Sequence, residues 1–345
     1  MEKILLGKTG LEVTRTAFGM LPLQRVDAET AVQILRTAYE AGINFYDTAR
    51  SYSDSEEKMG LALSDVRKNI IVASKSMATN GDELKKHLEI SLNNMKTDYI
   101  DIYQLHNPTQ LPDPEDKNST LYALMEAKRQ GMVRHIGISN HSVDRAVAAV
   151  KSGIYETMQF PFSLLSIQRD KDLVALCEEH GMGFIAMKAL CGGLLTNART
   201  AFAYLRRFQA VVPIWGIQRM EELEEILELD ANPPVYDAEI QALVAKEREE
   251  LSGDFCRGCG YCLPCPVEIP INMAARMTFL LHRSPYLRFL TPAWQKEMAH
   301  IEDCIECGSC ASKCPYSLNT PQLLKTMHKQ YVAFLEEHRD EIPSV

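Results

Sequence analysis

The chain has 345 residues, of which 46% are apolar and 24% charged, and its formal net charge is −9. This composition is typical of a globular protein with room for one large α/β domain and a smaller one. The negative charge disfavours non-specific binding to nucleic acids and gives no attraction to an anionic membrane. No stretch reaches the roughly 18 consecutive apolar residues that a membrane-spanning helix needs.

The N-terminus and the cysteine content predict the same compartment. The opening residues, MEKILLGKTGLEVTRTAFGM, place charges within their apolar run and offer no small-residue cleavage site, so we expect no signal peptide. We therefore expect a cytoplasmic protein, in which thiols stay reduced. Ten cysteines in such a compartment favour metal ligation over disulfides.

Short apolar runs alternate with amphipathic segments from residue 16 to residue 230. Eight strands are predicted: 16–20, 44–49, 70–75, 99–106, 135–140, 156–160, 183–190 and 211–217. Apolar residues spaced three and four apart predict helices between the strands, such as 28–42 and 82–97. Three residues are candidate helix N-caps: Asp27, Ser142 and Asp170.

Eight strand–helix units in about 200 residues predict a (β/α)8 TIM barrel. The alternative is a doubly wound open sheet, which normally carries a G-x-G-x-x-G turn after its first strand, and the sequence has none. We therefore predict an α/β barrel domain over residues 1–230, with its chemistry at the C-terminal ends of the strands. A linker with a proline pair and a charged helix follow over 231–252, and a small, mainly helical domain over 253–345.

Four polar side chains lie at or just after the ends of three successive predicted strands: Asp47, Tyr52, Lys75 and His106. Taken singly, each is explained as a packed or solvated side chain, but apolar strands gain no stability by ending in such groups. Carbonyl reduction needs a proton donor, and a tyrosine phenol has an ordinary pKa of about 10. A nearby lysine would lower that pKa, Asp47 would hold the lysine, and His106 would orient the carbonyl. Together the four predict an active site.

The segment GINFYDTARSYSDSE, residues 42–56, resembles the signature of the aldo-keto reductases. LGKTGLEVTRTAFGM, residues 6–20, is similar to the hairpin that closes the barrel floor in that family, and the resemblance covers about residues 3–230. It implies NAD(P)H-dependent reduction of a small-molecule carbonyl, or oxidation of an alcohol. It also implies that Tyr52 is the general acid/base, tuned by Lys75 and Asp47, and that His106 helps to bind the carbonyl.

The same resemblance implies the cofactor contacts. Ser139 and Asn140 in GISN, and Gln159 in MQF, match the residues that bind the nicotinamide carboxamide, and Met187 stands where many members stack an aromatic ring. Four residues of WGIQRMEELEE are candidate contacts to the adenosine end: Gly216, Gln218, Arg219 and Glu225. Only Arg219 offers a cation there, and Glu222 would repel a 2′-phosphate, so both NAD and NADP stay open as the cofactor.

Two runs near the C-terminus hold eight cysteines. The first, C-x2-C-x2-C-x2-C-P, supplies Cys256, Cys259, Cys262 and Cys265, and the second, C-x2-C-x2-C-x3-C-P, supplies Cys304, Cys307, Cys310 and Cys314. The second spacing is that of bacterial ferredoxins, in which the fourth cysteine ligates the other [4Fe–4S] cluster. This wiring predicts two clusters, one held by Cys256, Cys259, Cys262 and Cys314, the other by Cys304, Cys307, Cys310 and Cys265. Structural zinc is the alternative, but zinc ribbons usually separate their C-x2-C pairs by a longer loop.

Cys177 and Cys191 lie outside both runs, and we expect both to be packed side chains. The whole chain is similar to the iron–sulfur-containing subgroup of the aldo-keto reductases. Three hypotheses follow: a hydride-transfer enzyme whose clusters are structural or sensory, an electron relay to a flavoprotein or ferredoxin partner, and a nicotinamide sensor without turnover. The intact set of four polar residues favours the first hypothesis. The sequence has no flavin signature, and without a flavin the two electrons of a hydride do not pass readily to clusters that carry one electron each.

Overall fold

The computed structural model describes residues 1–251, 254–283 and 286–342. Contacts divide the chain into two compact units. The barrel unit comprises residues 1–189 and 198–244, and the cysteine unit comprises residues 190–197 and the described part of 245–345. The division falls inside the helix Ala238–Glu250, and the predicted domain boundaries at residues 230 and 253 stay predictions.

Ten strands and eight α-helices are described for the barrel unit, and a ninth α-helix continues into the cysteine unit. The strands β1 to β10 are Lys3–Leu5, Glu12–Thr14, Ala17–Gly19, Phe45–Asp47, Ile71–Ser76, Ile100–His106, Val133–Ser139, Thr157–Pro161, Gly183–Met187 and Val211–Gly216. The helices α1 to α9 are Ala28–Glu40, Ser55–Leu63, Gly81–Met95, Thr120–Arg129, Val143–Ser152, Gln168–Glu179, Ala198–Leu205, Met220–Ala231 and Ala238–Glu250.

Strands β3 to β10 form a closed parallel barrel, in which β10 returns to pair with β3. All eight of these strands lie within or next to the predicted apolar runs, so the predicted TIM barrel is confirmed. Parallel pairing in register brings the C-terminal ends of neighbouring strands to one rim.

The hairpin of β1 and β2 packs against the inside of the barrel. Its antiparallel strands set Lys3 opposite Thr14, and its apolar residues Leu6 and Val13 join the cluster that fills the barrel. Gly7 lies against β9 so closely that an added Cβ would stand 2.3 Å from the backbone nitrogen of Gly183. Only glycine fits at that contact, and the hairpin leaves the opposite, C-terminal rim available for chemistry.

Two of the three predicted N-cap residues occupy an N-cap position. Asp27 caps α1, where its carboxylate accepts a hydrogen bond from the backbone N–H of Thr30 at 2.8 Å. Ser142 is the N-cap residue of α5 but makes no capping hydrogen bond with its side chain. The prediction for Asp170 is wrong, because the N-cap of α6 is Ile167 and Asp170 reaches back from the third helical position to accept the N–H of Ile167 at 2.9 Å.

The cysteine unit is mainly helical where it is described. Its helices α10 to α14 are Ile271–Ala274, Met277–Arg283, Pro292–Ala299, Ser309–Ser312 and Thr320–Glu337. The hydroxyl of Tyr331 in α14 donates to the carbonyl oxygen of Phe289 at 2.7 Å, which ties the last helix to the spacer between the cysteine runs. None of the helices described in either unit is long and apolar enough to cross a membrane.

Candidate active site and cysteine cavity

A buried ion pair lies at the rim of the barrel. Asp47 is the last residue of β4, and Lys75 lies one residue before the end of β5. The Lys75 Nζ stands 2.7 Å from Asp47 Oδ2 and 2.5 Å from the carbonyl oxygen of Thr48. Burial lowers the pKa of Lys75 and raises the pKa of Asp47, while the attraction between the two charges opposes both changes. Each residue therefore stabilises the charged form of the other.

Tyr52 and His106 complete the predicted set of four. His106 ends β6, and its ring meets the ring of Tyr52 edge to face with centroids 6.0 Å apart. The Lys75 Nζ lies 5.0 Å from the centroid of the Tyr52 ring. The structure thus brings all four side chains together, as expected if adjacent parallel strands end at one rim.

The electrostatics of the rim differ from the expectation in one respect. Burial raises the pKa of Tyr52 above its ordinary value, and the charge of Asp47 acts in the same direction. The lowered pKa expected for Tyr52 is not found, because burial and the carboxylate of Asp47 both disfavour the phenolate. Burial, followed by the charge of Lys75, lowers the pKa of His106 to about 3. Near neutral pH the site therefore presents a protonated phenol and a neutral imidazole.

Two amides extend this group into the barrel. Gln104 donates from Nε2 to Gln159 Oε1 at 2.9 Å, and Gln159 donates from Nε2 to Asp47 Oδ2 at 3.2 Å. The sequence interpretation missed Gln104, although it lies two residues before His106 and the alternation of a strand puts both on one face. Gln159 was predicted as a cofactor contact, and its amide here also holds the carboxylate of Asp47.

Barrel register sets the other predicted carboxamide contacts beside His106. His106 lies opposite Ser139, and Ser139 lies opposite Gln159. The Ser139 hydroxyl accepts the backbone N–H of Asn107 at 3.2 Å. Asn140 is fully buried, and its side-chain oxygen accepts two backbone N–H groups of the turn that follows. Polar side chains of the predicted cofactor surface thus form a continuous row along the rim.

The remaining predicted cofactor contacts are Met187 and four residues at the end of β10 and in or just before α8. Met187 ends β9 and packs, partly buried, against the cluster inside the barrel. Gly216 ends β10, and Glu225 is exposed on α8. The carboxylate of Glu222 accepts the backbone N–H groups of Gln218 and Arg219 at 2.9 and 3.2 Å and pairs with the Arg219 guanidinium at 2.8 Å. Glu222 therefore already binds the donors that an anion at this helix N-terminus would use.

In the cysteine unit, one cavity is lined by thiols from both runs. They are Cys262, Cys265, Cys304, Cys307 and Cys310. Cys265 thus shares a cavity with three cysteines of the second run, as the ferredoxin-type wiring predicts, but Cys262, which that wiring assigns to the other cluster, lines the cavity too. Cys314 does not line this cavity.

The other thiols of the first run lie close together. Burial, followed by the neighbouring Cys256 and Cys259, raises the pKa of Cys262 to about 12, and Cys310 of the second run adds to the effect. Cys256 is buried and accepts the backbone N–H of Gly258 at 3.3 Å. The two runs therefore approach each other at Cys262 and Cys310.

Among residues 1–251, 254–283 and 286–342, no three His, Cys, Asp or Glu side chains are close enough together to hold one metal ion. A four-iron cubane carries its four thiolates on four different irons, so its cysteines stand farther apart than those around one zinc ion.

The two remaining cysteines are packed, as expected. Cys177 is fully buried in α6, and burial raises the pKa of its thiol to about 12. Cys191 is also buried and lies 3.7 Å from the Arg257 guanidinium within the cysteine unit.

A phenol and a neutral imidazole lie together at the carboxyl rim of a (β/α)8 barrel, where the active sites of this fold are found. The pattern of the aldo/keto reductase family matches residues 14–230, more than half of the sequence, and the chain belongs to this family. A 4Fe-4S dicluster domain matches residues 255–319. Both parts of the resemblance stated from the sequence are thereby confirmed.

Curated relatives resemble the barrel part of the chain. The uncharacterized oxidoreductase YqkF of Bacillus subtilis is 33% identical over 57% of this chain and 67% of its own length. The aldo-keto reductase YhdN of the same organism is 30% identical over 58% of this chain and 65% of its own length. The NADH-specific methylglyoxal reductase of Escherichia coli is 26% identical over 58% of this chain and 71% of its own length. The chain thus spans about two thirds of the length of these relatives.

Solved structures resemble the same part. The thermostable aldo-keto reductase Tm1743, in complex with the inhibitor epalrestat, is 26% identical with a TM-score of 0.61, and the match covers 72% of this chain and 100% of that one. The holo form of aldo-keto reductase AKR11C1 from Bacillus halodurans, at 24% identity and a TM-score of 0.63, covers 72% of this chain and 96% of that one. The second likeness concerns the fold alone.

Proposed function

We propose that the barrel reduces a small carbonyl compound, or oxidises the matching alcohol, with Tyr52 as the general acid/base. The observation that carries this proposal is the convergence of Tyr52, His106 and the Lys75–Asp47 pair at one rim. A bound reduced nicotinamide supplies the hydride. Tyr52, kept protonated by burial, donates its proton to the carbonyl oxygen as that oxygen gains negative charge. His106, neutral at physiological pH, orients the same oxygen by a hydrogen bond.

Lys75 acts when the proton leaves. The phenolate of Tyr52 is then stabilised by the Lys75 ammonium, 5.0 Å from the ring centroid. Asp47 keeps Lys75 charged, and Gln159 and Gln104 hold Asp47 in place. Because this attraction acts only on the developing phenolate, it stabilises the transition state more than the ground state.

We propose that the cofactor is NADH rather than NADPH. The bonds of Glu222 to Gln218 and Arg219 support this, because a 2′-phosphate would have to displace a carboxylate from the same donors. Ser139, Asn140 and Gln159 would hold the carboxamide and Met187 would cover the ring, with four residues at the adenosine end: Gly216, Gln218, Arg219 and Glu225. A relative of this family is named as an NADH-specific methylglyoxal reductase.

The substrate class is proposed from the named relatives. Methylglyoxal reductase DkgB of Escherichia coli O157:H7 is 32% identical over 51% of this chain and 67% of its own length. Methylglyoxal, a small ketoaldehyde, is therefore the first substrate to test. Its aldehyde carbonyl suits a site with one proton donor and one neutral orienting group.

We propose that the cysteine unit holds two [4Fe–4S] clusters with the crossed ligand sets given above. The shared cavity of Cys265 with Cys304, Cys307 and Cys310 supports this assignment. When bound, such clusters carry one electron each, so they do not take up a hydride directly. An electron relay to a flavoprotein or ferredoxin partner is the second candidate function, favoured by the exposure of Cys307.

The test is an anaerobic assay of the reconstituted protein with methylglyoxal and either NADH or NADPH. Tyr52→Phe should lower turnover by about 10²- to 10⁴-fold, while NADH binding, followed by fluorescence, stays unchanged. Tyr39→Phe, in α1, is the control and should keep full activity. An active Tyr52→Phe enzyme would contradict the assignment.

The same sample tests the relay. NADH is added without substrate, and the EPR spectrum is followed. Clusters that stay oxidised support a hydride enzyme whose clusters act apart from turnover. Clusters that become reduced favour the relay and require a one-electron route from the barrel.

A further inference from the structure

A second buried ion pair lies behind the rim. Glu56, in the first turn of α2, is completely buried. Its Oε1 accepts the hydroxyls of Ser74 and Ser91, both at 2.7 Å, and its Oε2 pairs with the guanidinium of Arg50. Removing a carboxylate from water is costly, and these three contacts are what make its charge tolerable there.

Arg50 connects this carboxylate to the segment that carries Tyr52. Its side chain, 20% exposed, also donates to the carbonyl oxygen of Ser53 at 3.4 Å. Its backbone N–H donates to the carbonyl oxygen of Lys75 at 2.9 Å. Ser53 has a φ of +37°, which residues with a side chain seldom adopt. The Arg50–Glu56 pair thus holds both ends of the loop that presents the phenol.

Glu56 also acts on Lys75 through its charge. Ser74 and Lys75 are neighbours on β5, so their side chains point to opposite faces of the strand. Lys75 faces Asp47, Tyr52 and His106 at the rim, and the charge of Glu56 acts on it from behind. Burial lowers the pKa of Lys75, whereas Asp47 and, less strongly, Glu56 raise it.

We propose that Arg50 and Glu56 form a positioning pair for proton transfer, which fixes the Tyr52 segment and helps to keep Lys75 charged. The proposal rests on the proposed role of Tyr52 as the proton donor. Neither residue donates to substrate itself. A pair that only braces the fold would affect stability and leave the chemistry alone, and the two roles are separable by experiment.

The experiment compares Arg50→Gln and Glu56→Gln with the wild-type holoprotein, using NADH and methylglyoxal. Since displacement of a catalytic group by about 1 Å costs about 100-fold in rate, we expect kcat to fall about that much. KM and the dissociation constant for NADH should change less than about twofold, because neither residue lies among the proposed contacts to substrate or cofactor.

The pH profile of kcat distinguishes the two roles, because a pair that only stabilises the fold would not change it. Removing the negative charge in Glu56→Gln lowers the pKa of Lys75, so the fall of kcat at high pH should begin at a lower pH than in the wild type. Arg50→Gln removes a positive charge, and this change should not shift the fall of kcat to lower pH. Arg50→Lys, which keeps the charge, should restore part of the lost kcat.

Arg67→Gln is the matched control. It breaks another buried ion pair of the barrel unit, 2.7 Å from Asp101 at the opposite end of β6 from His106, and should lower stability while kcat and the pH profile stay unchanged. If Glu56→Gln fails to fold, the test rests on Arg50→Gln, because the Arg50 side chain is more exposed. Wild-type kcat and pH profile in that variant would overturn the proposal. If Tyr52→Phe also keeps its activity, the proposed function fails as well.

Discussion

The barrel unit and the cysteine unit prepare their chemistry in different ways. At the rim of the barrel, the charged groups are already paired with one another: Lys75 with Asp47, and Arg50 with Glu56. In the described part of the cysteine unit, thiols of both runs line one cavity. The barrel thus orders its charged groups by pairing them, whereas we expect the thiols of the cysteine unit to be ordered by the clusters that we propose they bind.

The difference follows from the elements that carry the residues. Asp47, Lys75 and His106 lie on strands of a closed barrel, whose register fixes their positions. The cysteines lie mostly on loops and on the one-turn helix α13, Ser309–Ser312. Loops of this kind gain order from ligation, and the free energy of ligation then becomes free energy of folding.

The largest expected effect comes from removing iron. Anaerobic treatment of the reconstituted protein with a chelator should lower hydrogen-exchange protection in residues 254–342 by orders of magnitude, because ligation energy is lost. Amides of β5 and β6 should keep their protection, and NADH binding should persist. Equal loss of protection in both units, or no loss in either, would remove the distinction between them.

A smaller effect is expected at the adenosine end of the barrel site. Glu222→Gln removes the negative charge beside Arg219 and should raise the preference for NADPH over NADH by about tenfold, a difference of about 1.4 kcal/mol. The measurement is the ratio of kcat/KM for the two cofactors. Glu224→Gln, exposed on the same helix, is the control and should leave the ratio unchanged. A wild-type enzyme that already prefers NADPH would contradict the proposal.

The stability of the barrel should depend on pH through His106. The pKa of this residue is about 3 in the folded protein against an ordinary 6.5, so between these values the unfolded chain binds a proton that the folded chain does not. Stability therefore falls as the pH drops from 6.5 towards 3, by about 1 kcal/mol at pH 5.5. His141, also buried, has a pKa lowered in the same direction and contributes to the wild type and the variant alike.

Urea unfolding at pH 7.5 and pH 5.5 measures this effect. The wild type should lose about 1 kcal/mol more than His106→Asn on going to the lower pH. Equal losses would mean that the imidazole is not the group that resists protonation.

The smallest expected change is in iron content. Cys307→Ser should remove about half of the iron, because one of two proposed clusters loses a ligand. Cys177→Ser should leave the iron unchanged, since this thiol is buried in the barrel unit. Full iron in Cys307→Ser would refute the ligand assignment.

Local patterns were sufficient for much of the barrel. The period of the apolar residues predicted eight strands, and the rule that parallel strands end at one rim predicted that Asp47, Lys75 and His106 meet. Other features depend on packing that no local pattern reports. Arg50 and Glu56 lie inside the signature segment, yet their pairing with each other, and the bond of Glu56 to Ser91, 35 residues away, became visible only in the fold.

The predictions that failed have the same origin. Asp170 was predicted as a cap from its residue type, but the helix begins at Gln168, and Asp170 caps it from within. The pKa of Tyr52 was expected to be lowered by Lys75, but burial and the charge of Asp47 raise it. Residue type and spacing do not give burial or the direction in which a charge faces.

Periodicity and spacing in the sequence determined the barrel, the positions of the four rim residues and the two cysteine runs, and the likeness to a known signature segment determined the family. Only the tertiary structure decided which groups share a charge, a cavity or a hydrogen bond. It brought Cys262 into one cavity with cysteines of the second run, bonded the carboxylate of Glu222 to the backbone N–H of Gln218, and placed Glu56 behind Lys75. These relations depend on distances between residues far apart in the chain, and such distances are set when the strands close and the helices pack.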